Sequence, residues 1–185
     1  HLSLKLQRRH FQHQPLQVWS AACSTGEEPY TLAMLLCEQQ TRFPGFRFAI
    51  RATDICHTVL IHAQNAIYRS ERIEPIPLRL RKKYLLRSKD ESKQLFKVDR
   101  TVRSTVQFSP FNLINDEYPP AASFDVIFCR NVMIYFGEAD RVRVVSRLKQ
   151  CLVPGGLLFL GHSESLGEQR EGLHLVSPTV YQKAS

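Results

Sequence analysis

Apolar positions along the 185-residue chain fall into short runs that switch between strand-like and helix-like spacing. Residues 17–23 (QVWSAAC) form a strand-like run that shrinks to small side chains at its end. A turn at Ser24-Thr25-Gly26-Glu27-Glu28 follows, and Pro29 suits the first turn of a helix. Leu32, Leu35 and Leu36 recur at helical spacing up to about Gln40. Residues 46–53 (FRFAIRAT) alternate like a strand and stop at Asp54, and 58–66 reads as a second helix. Leu78, Leu80, Leu85 and Leu86 mark a further helical stretch, while 95–102 and 105–108 read as strands. Residues 124–129 (FDVIFC) are almost continuously apolar, as in a strand covered on both faces. An amphipathic helix is predicted over 138–152, with Val142, Val145, Leu148 and Leu152 on one side. Pro154-Gly155-Gly156 then turns the chain into a strand over 157–161, and 173–176 with 179–182 reads as a closing hairpin. This order predicts an α/β fold with a parallel sheet and right-handed crossovers. The alternation breaks over about 69–104, which predicts a small inserted subdomain.

Composition narrows the class. Apolar content of 43 % and charged content of 23 % are ordinary for one globular domain. No apolar run approaches the ~18 residues of a membrane span, so no membrane insertion is expected. Residues 1–15 have no apolar core, so no secretory signal is read there. Five widely spaced cysteines without a C-x-x-C predict a reduced, cytoplasmic protein with no zinc site. His10 and His13 have a helical metal spacing but no further ligands nearby, so a solvent-facing pair is expected and no metal. Charge is concentrated. Segment 69–107 holds twelve basic residues against five acids, which is +7 of the net +8. Such a patch steers an acidic partner or is simply a solvated face. It interleaves few aromatics (Tyr84, Phe96), which argues against a nucleic-acid surface.

Candidate chemistry lies where strands end, because ligands of open α/β sheets bind outside the carboxyl ends of the strands. The first run ends in Ala21-Ala22-Cys23-Ser24-Thr25-Gly26, with a single glycine, so a phosphate cradle is not indicated. Glu27 and Glu28 would repel phosphate and attract an ammonium or sulfonium; alternatively they complement the helix dipole. Asp54 ends the second strand and can accept from both hydroxyls of a ribose, or cap the following helix. A ribose, a cation and no phosphate point to S-adenosylmethionine.

The stretches 19–30 (WSAACSTGEEPY), Ala52-Thr53-Asp54-Ile55, 124–136 (FDVIFCRNVMIYF) and 156–166 (GLLFLGHSESL) resemble chemotaxis-receptor glutamate methyltransferases of the CheR type. The four motifs occur in order, and the resemblance runs from about Val18 to Tyr181. It implies a class I S-adenosylmethionine-dependent, Rossmann-like methyltransferase sheet over 18–185 with a small inserted β-subdomain at about 69–104. It also implies transfer of a methyl group to glutamates of chemoreceptor cytoplasmic domains, with S-adenosylhomocysteine as product. By matching position, Glu28 meets the methionine end of the cofactor and Asp54 its ribose. Asn112 and Leu113 match a pair on the adenine side, Arg130 and Asn131 another cofactor-contacting pair, and Tyr135 a tyrosine close to the transferred methyl. The family's linker carries an Asn-x-Thr segment and an arginine that residues 1–17 do not match, so 1–17 reads as a remnant of that linker. The basic segment 69–107 is expected to dock the receptor. Two other readings share the fold: a non-catalytic cofactor- or receptor-binding module, and a nucleic-acid methyltransferase. The latter is disfavoured because Arg130-Asn131-Val132-Met133 lacks the Asn/Asp-Pro-Pro-Tyr pattern of base methylation.

Overall fold

The computed structural model describes residues 14–167 and 171–184. The His10/His13 pair and most of the stretch read as a linker lie outside them. Strands β1 (Leu16–Ala21), β2 (Phe48–Asp54), β6 (Val106–Pro110), β7 (Phe124–Cys129) and β8 (Leu152–Leu160) run parallel. Strand β10 (Val180–Lys183) joins β8 antiparallel, and β9 (Leu173–Ser177) closes the sheet in the order β6-β2-β1-β7-β8-β10-β9. The central strands are buried on both faces, which is why 124–129 reads as a nearly continuous apolar run.

Helices α1 (Glu27–Arg42) and α2 (His57–Asn65) are the crossovers between β1, β2 and the rest of the chain. One core packs Val18, Ile50, Ala52 and Val126 against Ala33, Met34 and Leu36 of α1. The other packs Trp19, Ile127, Leu158 and Leu160 against α6 (Glu138–Cys151) and the stretch holding Phe111 and Leu113. Trp19 is fully buried, and its indole N–H donates to Thr53 Oγ1 at 3.0 Å, tying β1 to the end of β2.

Between α2 and β6 the chain makes a second, three-stranded antiparallel sheet, β3 (Ile67–Arg69), β5 (Leu95–Val98) and β4 (Leu85–Arg87), with β5 in the middle. Short helices α3 (Ser70–Ile73), α4 (Leu78–Tyr84) and α5 (Arg100–Arg103) flank it. Ile73, Leu80, Tyr84 and Val98 join the first core. Glu38 of α1 fastens α4: it accepts from Lys83 Nζ at 2.7 Å and Tyr84 OH at 2.8 Å, and pairs with Arg79 at 2.6 Å.

Local structure departs from the sequence expectation in four places. Leu85 and Leu86 leave the helix for β4, where they pair with Val98 and Lys97. The strand predicted over 95–102 stops at Val98 because Asp99 caps α5, its carboxylate accepting from Thr101 N at 2.8 Å. The buried stripe of α6 is Val144, Val145, Leu148 and Cys151, whereas Val142 is exposed. Pro154-Gly155-Gly156 lies inside β8, which starts at Leu152, with a register shift against β7 accommodating the extra residues.

Candidate functional site

The C-terminal ends of β6, β2, β1 and β7 share one edge of the sheet. The loop after β1 is bent sharply there: Ala22, Ser24 and Gly26 have φ of 90°, 48° and 93°. Left-handed backbone at alanine and serine costs energy and persists only when its surroundings hold it. The end of β2 supplies much of that hold. Thr53 O accepts from Ala22 N and Cys23 N, both at 2.8 Å, and Asp54 Oδ2 accepts from Ser24 N at 2.8 Å. The other oxygen, Asp54 Oδ1, accepts from Cys56 N at 3.0 Å. Cys56 is the N-cap of α2, so Asp54 braces the loop rather than capping the helix. At Gly26 the chain is pressed against its neighbours, and an added Cβ would lie 2.8 Å from Ala63 Cβ and 2.9 Å from the Tyr68 hydroxyl.

Glu28 stands at the start of α1, where Ser20 Oγ donates to Oε1 at 2.8 Å and Arg130 Nη1 to Oε2 at 3.1 Å. Two sites far apart in sequence are thereby one ionic unit. Glu27 faces elsewhere, accepting from Thr25 Oγ1 at 2.6 Å and pairing with Arg72 Nε at 3.4 Å. Both acids also sit in the first turn of α1, where the helix dipole favours them.

The loop after β7 is held by a residue that sequence reasoning left without a role. Glu164 is buried, and its carboxylate accepts from Asn131 N (2.9 Å), Val132 N (2.8 Å), Met133 N (2.8 Å) and Gly161 N (2.6 Å). Asn131 is left-handed within that loop, with φ of 58°. A Cβ at Gly161 would come within 2.6 Å of both Asn131 Oδ1 and Glu164 Oε2, so only glycine fits where the two loops meet. A buried acid just beyond a strand, in Gly161-His162-Ser163-Glu164, was the available signal.

Of the remaining predicted residues, Asn112 follows β6 beside Asp54, with Phe111 N donating to Asp54 O at 3.0 Å. Its side chain shapes a turn: Oδ1 accepts from Ile114 N at 2.9 Å, while its own N donates to Asp116 at 2.7 Å. Leu113 is buried in the second core. Tyr135 ends the short 3-10 turn Met133–Tyr135 and is 79 % exposed at the rim. Glu28, Arg130, Asp54, Asn112 and Asn131 thus gather along one edge, Tyr135 stands at its border, and Leu113 backs it from the core. A cavity of about 340 Å³ opens beside the Glu28–Arg130 pair, between α1 and the inserted sheet, with Leu32, Ile73 and Phe128 on its apolar walls.

Electrostatics limit what this edge can do. Burial, then Asp54, pushes the Cys23 thiol up to about 12, so it stays protonated and is no nucleophile. Burial and then Glu27 raise Tyr68, keeping its hydroxyl a donor. Among the described residues, no group of three or more His, Cys, Asp or Glu could hold a metal ion, and no helix is long and apolar enough to cross a membrane. The arrangement offers carboxylates, amides and bent backbone, and Arg130 there is paired with Glu28.

A fold of this kind also occurs in a TehB-like SAM-dependent methyltransferase of Corynebacterium glutamicum, with a TM-score of 0.52 and 13 % identity over 92 % of this chain and 79 % of that one; this likeness bears on the fold alone. The sheet is that of class I S-adenosylmethionine-dependent methyltransferases. In sequence, the chain is 40 % identical over 181 residues to chemotaxis protein methyltransferase 2 of Pseudomonas aeruginosa, covering 97 % of this chain and 64 % of that protein. It is 39 % identical to the chemotaxis protein methyltransferase of Escherichia coli, covering 89 % of this chain and 57 % of that protein. The Borreliella burgdorferi protein of the same description is 38 % identical, covering 91 % and 58 %. The chain therefore spans about three-fifths of the length of these relatives. A family model described as CheR methyltransferase, SAM binding domain, matches residues 2–182. The chain belongs to the CheR methyltransferases and carries their S-adenosylmethionine-binding domain.

Proposed function

We propose that this chain binds S-adenosylmethionine along the C-terminal edge of β2, β1 and β7 and transfers its methyl group to glutamate side chains of chemoreceptor cytoplasmic domains. The observation that carries this reading is Glu28 held between Ser20 and Arg130, on the same edge as Asp54. The acceptors there suit the cofactor: carboxylates for an ammonium and for ribose hydroxyls. In this reading Glu28 meets the methionine end and Asp54 the ribose. Asn112 and Leu113 lie on the adenine side, Arg130 and Asn131 complete the contacts, and Tyr135 stands near the reacting centre. The five cysteines are unpaired, which suits a cytoplasmic protein.

Bound S-adenosylmethionine supplies an electrophilic methyl group. The acceptor glutamate is already ionised near pH 7, so no general base is required. The chain's work is alignment and exclusion of water. Arg130 orients Glu28, Asp54 keeps the 22–26 loop in its bent form, and Glu164 fixes the backbone on which Arg130 and Asn131 ride. Receptor docking falls to the basic segment 69–107, whose charge complements acidic partners. Lys82, Lys89 and Lys97 are exposed there, whereas Lys83 and Arg79 are engaged with Glu38.

Calorimetry with S-adenosylhomocysteine tests the cofactor assignment. Asp54→Ala removes the acceptors of Ser24 N and Cys56 N and those for the ribose, and should weaken binding by about 1–3 kcal/mol. Unchanged affinity would remove Asp54 from the site, and an absence of binding by the wild-type chain would overturn the cofactor reading. Methyl transfer to a receptor cytoplasmic fragment tests the substrate.

A further inference from the structure

We infer that Tyr68, assisted by Arg72, is a positioning residue for the cofactor: through it the inserted sheet holds the 22–26 loop in its bent conformation. The inference rests on the reading above, in which that loop borders the cofactor.

Three observations converge on Tyr68. It lies on β3, an edge strand of the inserted sheet, yet its hydroxyl reaches out of that sheet and donates to Thr25 O at 2.7 Å. The contact joins residues 43 positions apart. It is close enough that a Cβ on Gly26 would lie 2.9 Å from the same hydroxyl. One turn further, on α3, Arg72 pairs with Glu27, which also accepts from Thr25 Oγ1. Thr25 is therefore gripped at its carbonyl by one residue and, through Glu27, at its hydroxyl by another, both from the inserted segment.

The loop needs this second grip. Its three left-handed residues, two of them not glycine, hold their shape only while anchored at both ends. Asp54 and Thr53 hold Ala22, Cys23 and Ser24 from the sheet side. Among the described residues no hydrogen bond from that side reaches the Thr25 carbonyl, which is where Tyr68 bonds. Tyr68 is itself packed in, being 5 % exposed and set edge-on against Tyr30 and His62. Tyr30 in turn donates to Ala63 O at 2.9 Å, which fixes the α2 surface on which Gly26 rests. The bent loop is thus clamped between β2 and β3. Displacement of the inserted sheet would be felt at the cofactor edge.

Tyr68→Phe keeps the ring and removes only the hydroxyl. Amide hydrogen exchange without cofactor should show faster exchange at Ser24 and Gly26 than in wild type, whose N–H groups bond to Asp54 and Cys23 O. Calorimetry should show S-adenosylhomocysteine bound roughly threefold to tenfold more weakly, the scale of one hydrogen bond. A double variant with Asp54→Asn should lose less than the two single losses multiplied, because both act on one loop. A purely structural Tyr68 would lower the melting temperature and leave wild-type exchange at these amides and wild-type affinity, and that result overturns the proposal. Faster exchange with unchanged affinity also overturns it. If the wild-type chain binds no S-adenosylhomocysteine, the cofactor reading fails instead, and the exchange data alone decide whether Tyr68 holds the loop.

Discussion

At the scale of single residues, two carboxylates, Glu164 and Asp54, organise loops by accepting from backbone N–H groups. Glu164 gathers four amides from two loops, and Asp54 gathers two from either side of its strand end. Hydrogen bonds to a buried charged acceptor are worth more than neutral ones, and removing the acceptor leaves donors with no partner. Glu164→Gln keeps the shape but replaces one oxygen with an NH₂ that must face N–H groups. It should cost about 2–3 kcal/mol, seen as a fall of roughly 4–12 °C in Tm for a domain this size. A Tm within one degree of wild type would show that the amides find other acceptors. These roles also mark the limit of sequence reading at this scale. Glu28 and Asp54 stood out as candidates because an acid near a strand end is chemically suggestive. Glu164 follows a strand too, but it and Tyr68 drew no role, because three of the four amides on Glu164 and the acceptor of Tyr68 are main-chain atoms 31–43 residues away, and a main-chain atom leaves no trace in residue type.

At the scale of elements, the central sheet was readable because its middle strands are buried on both faces and its outer ones alternate. The inserted segment was harder. Its strands are three or four residues long, so period-two alternation has no room to show, and Leu85-Leu86 fits a helix end as well as a strand start. Such a small sheet gains stability by packing on something larger. Part of that anchorage is Glu38, whose carboxyl is held down at about 2, from an ordinary 4.5, first by the Lys83 hydrogen bond, then by Tyr84 and Arg79. A carboxyl depressed in the folded state stabilises it fully above its unfolded value. That contribution fades as pH falls from about 4.5 towards 2. Glu38→Gln should therefore be less stable than wild type at pH 7, by about 1–2 kcal/mol for the weakened hydrogen bonds to α4. The gap should close as both proteins are acidified through that window. Thermal melts across the window check this, and a gap independent of pH would mean that Glu38 matters by shape alone.

At the scale of the whole molecule, charge and chemistry are divided between the two sheets. The large sheet carries the edge proposed to bind the cofactor, while 69–107 carries +7 of the net +8 and leaves +1 for the rest of the chain. Not all of that charge is free to act at a distance. Arg79 and Lys83 are committed to Glu38, and Arg72 to Glu27, so reversing them would disturb the fold or the loop before it tested docking. Lys82, Lys89 and Lys97 are exposed and carry no ion pair among the described residues, which makes them the cleaner probe. Changing all three to Glu takes the net charge from +8 to +2. Long-range steering scales with such a change and is screened beyond about 10 Å at 0.1 M salt. At low salt the triple variant should associate with an acidic receptor cytoplasmic fragment about tenfold more slowly, and its rate should respond less to added salt. Its affinity for S-adenosylhomocysteine should match wild type, because none of the three is among the residues proposed to hold the cofactor. Equal association rates at low salt would strip the basic segment of its docking role and leave it as a solvated face. A parallel loss of cofactor affinity would mean instead that the inserted sheet had shifted, and with it the loop that Tyr68 and Arg72 hold.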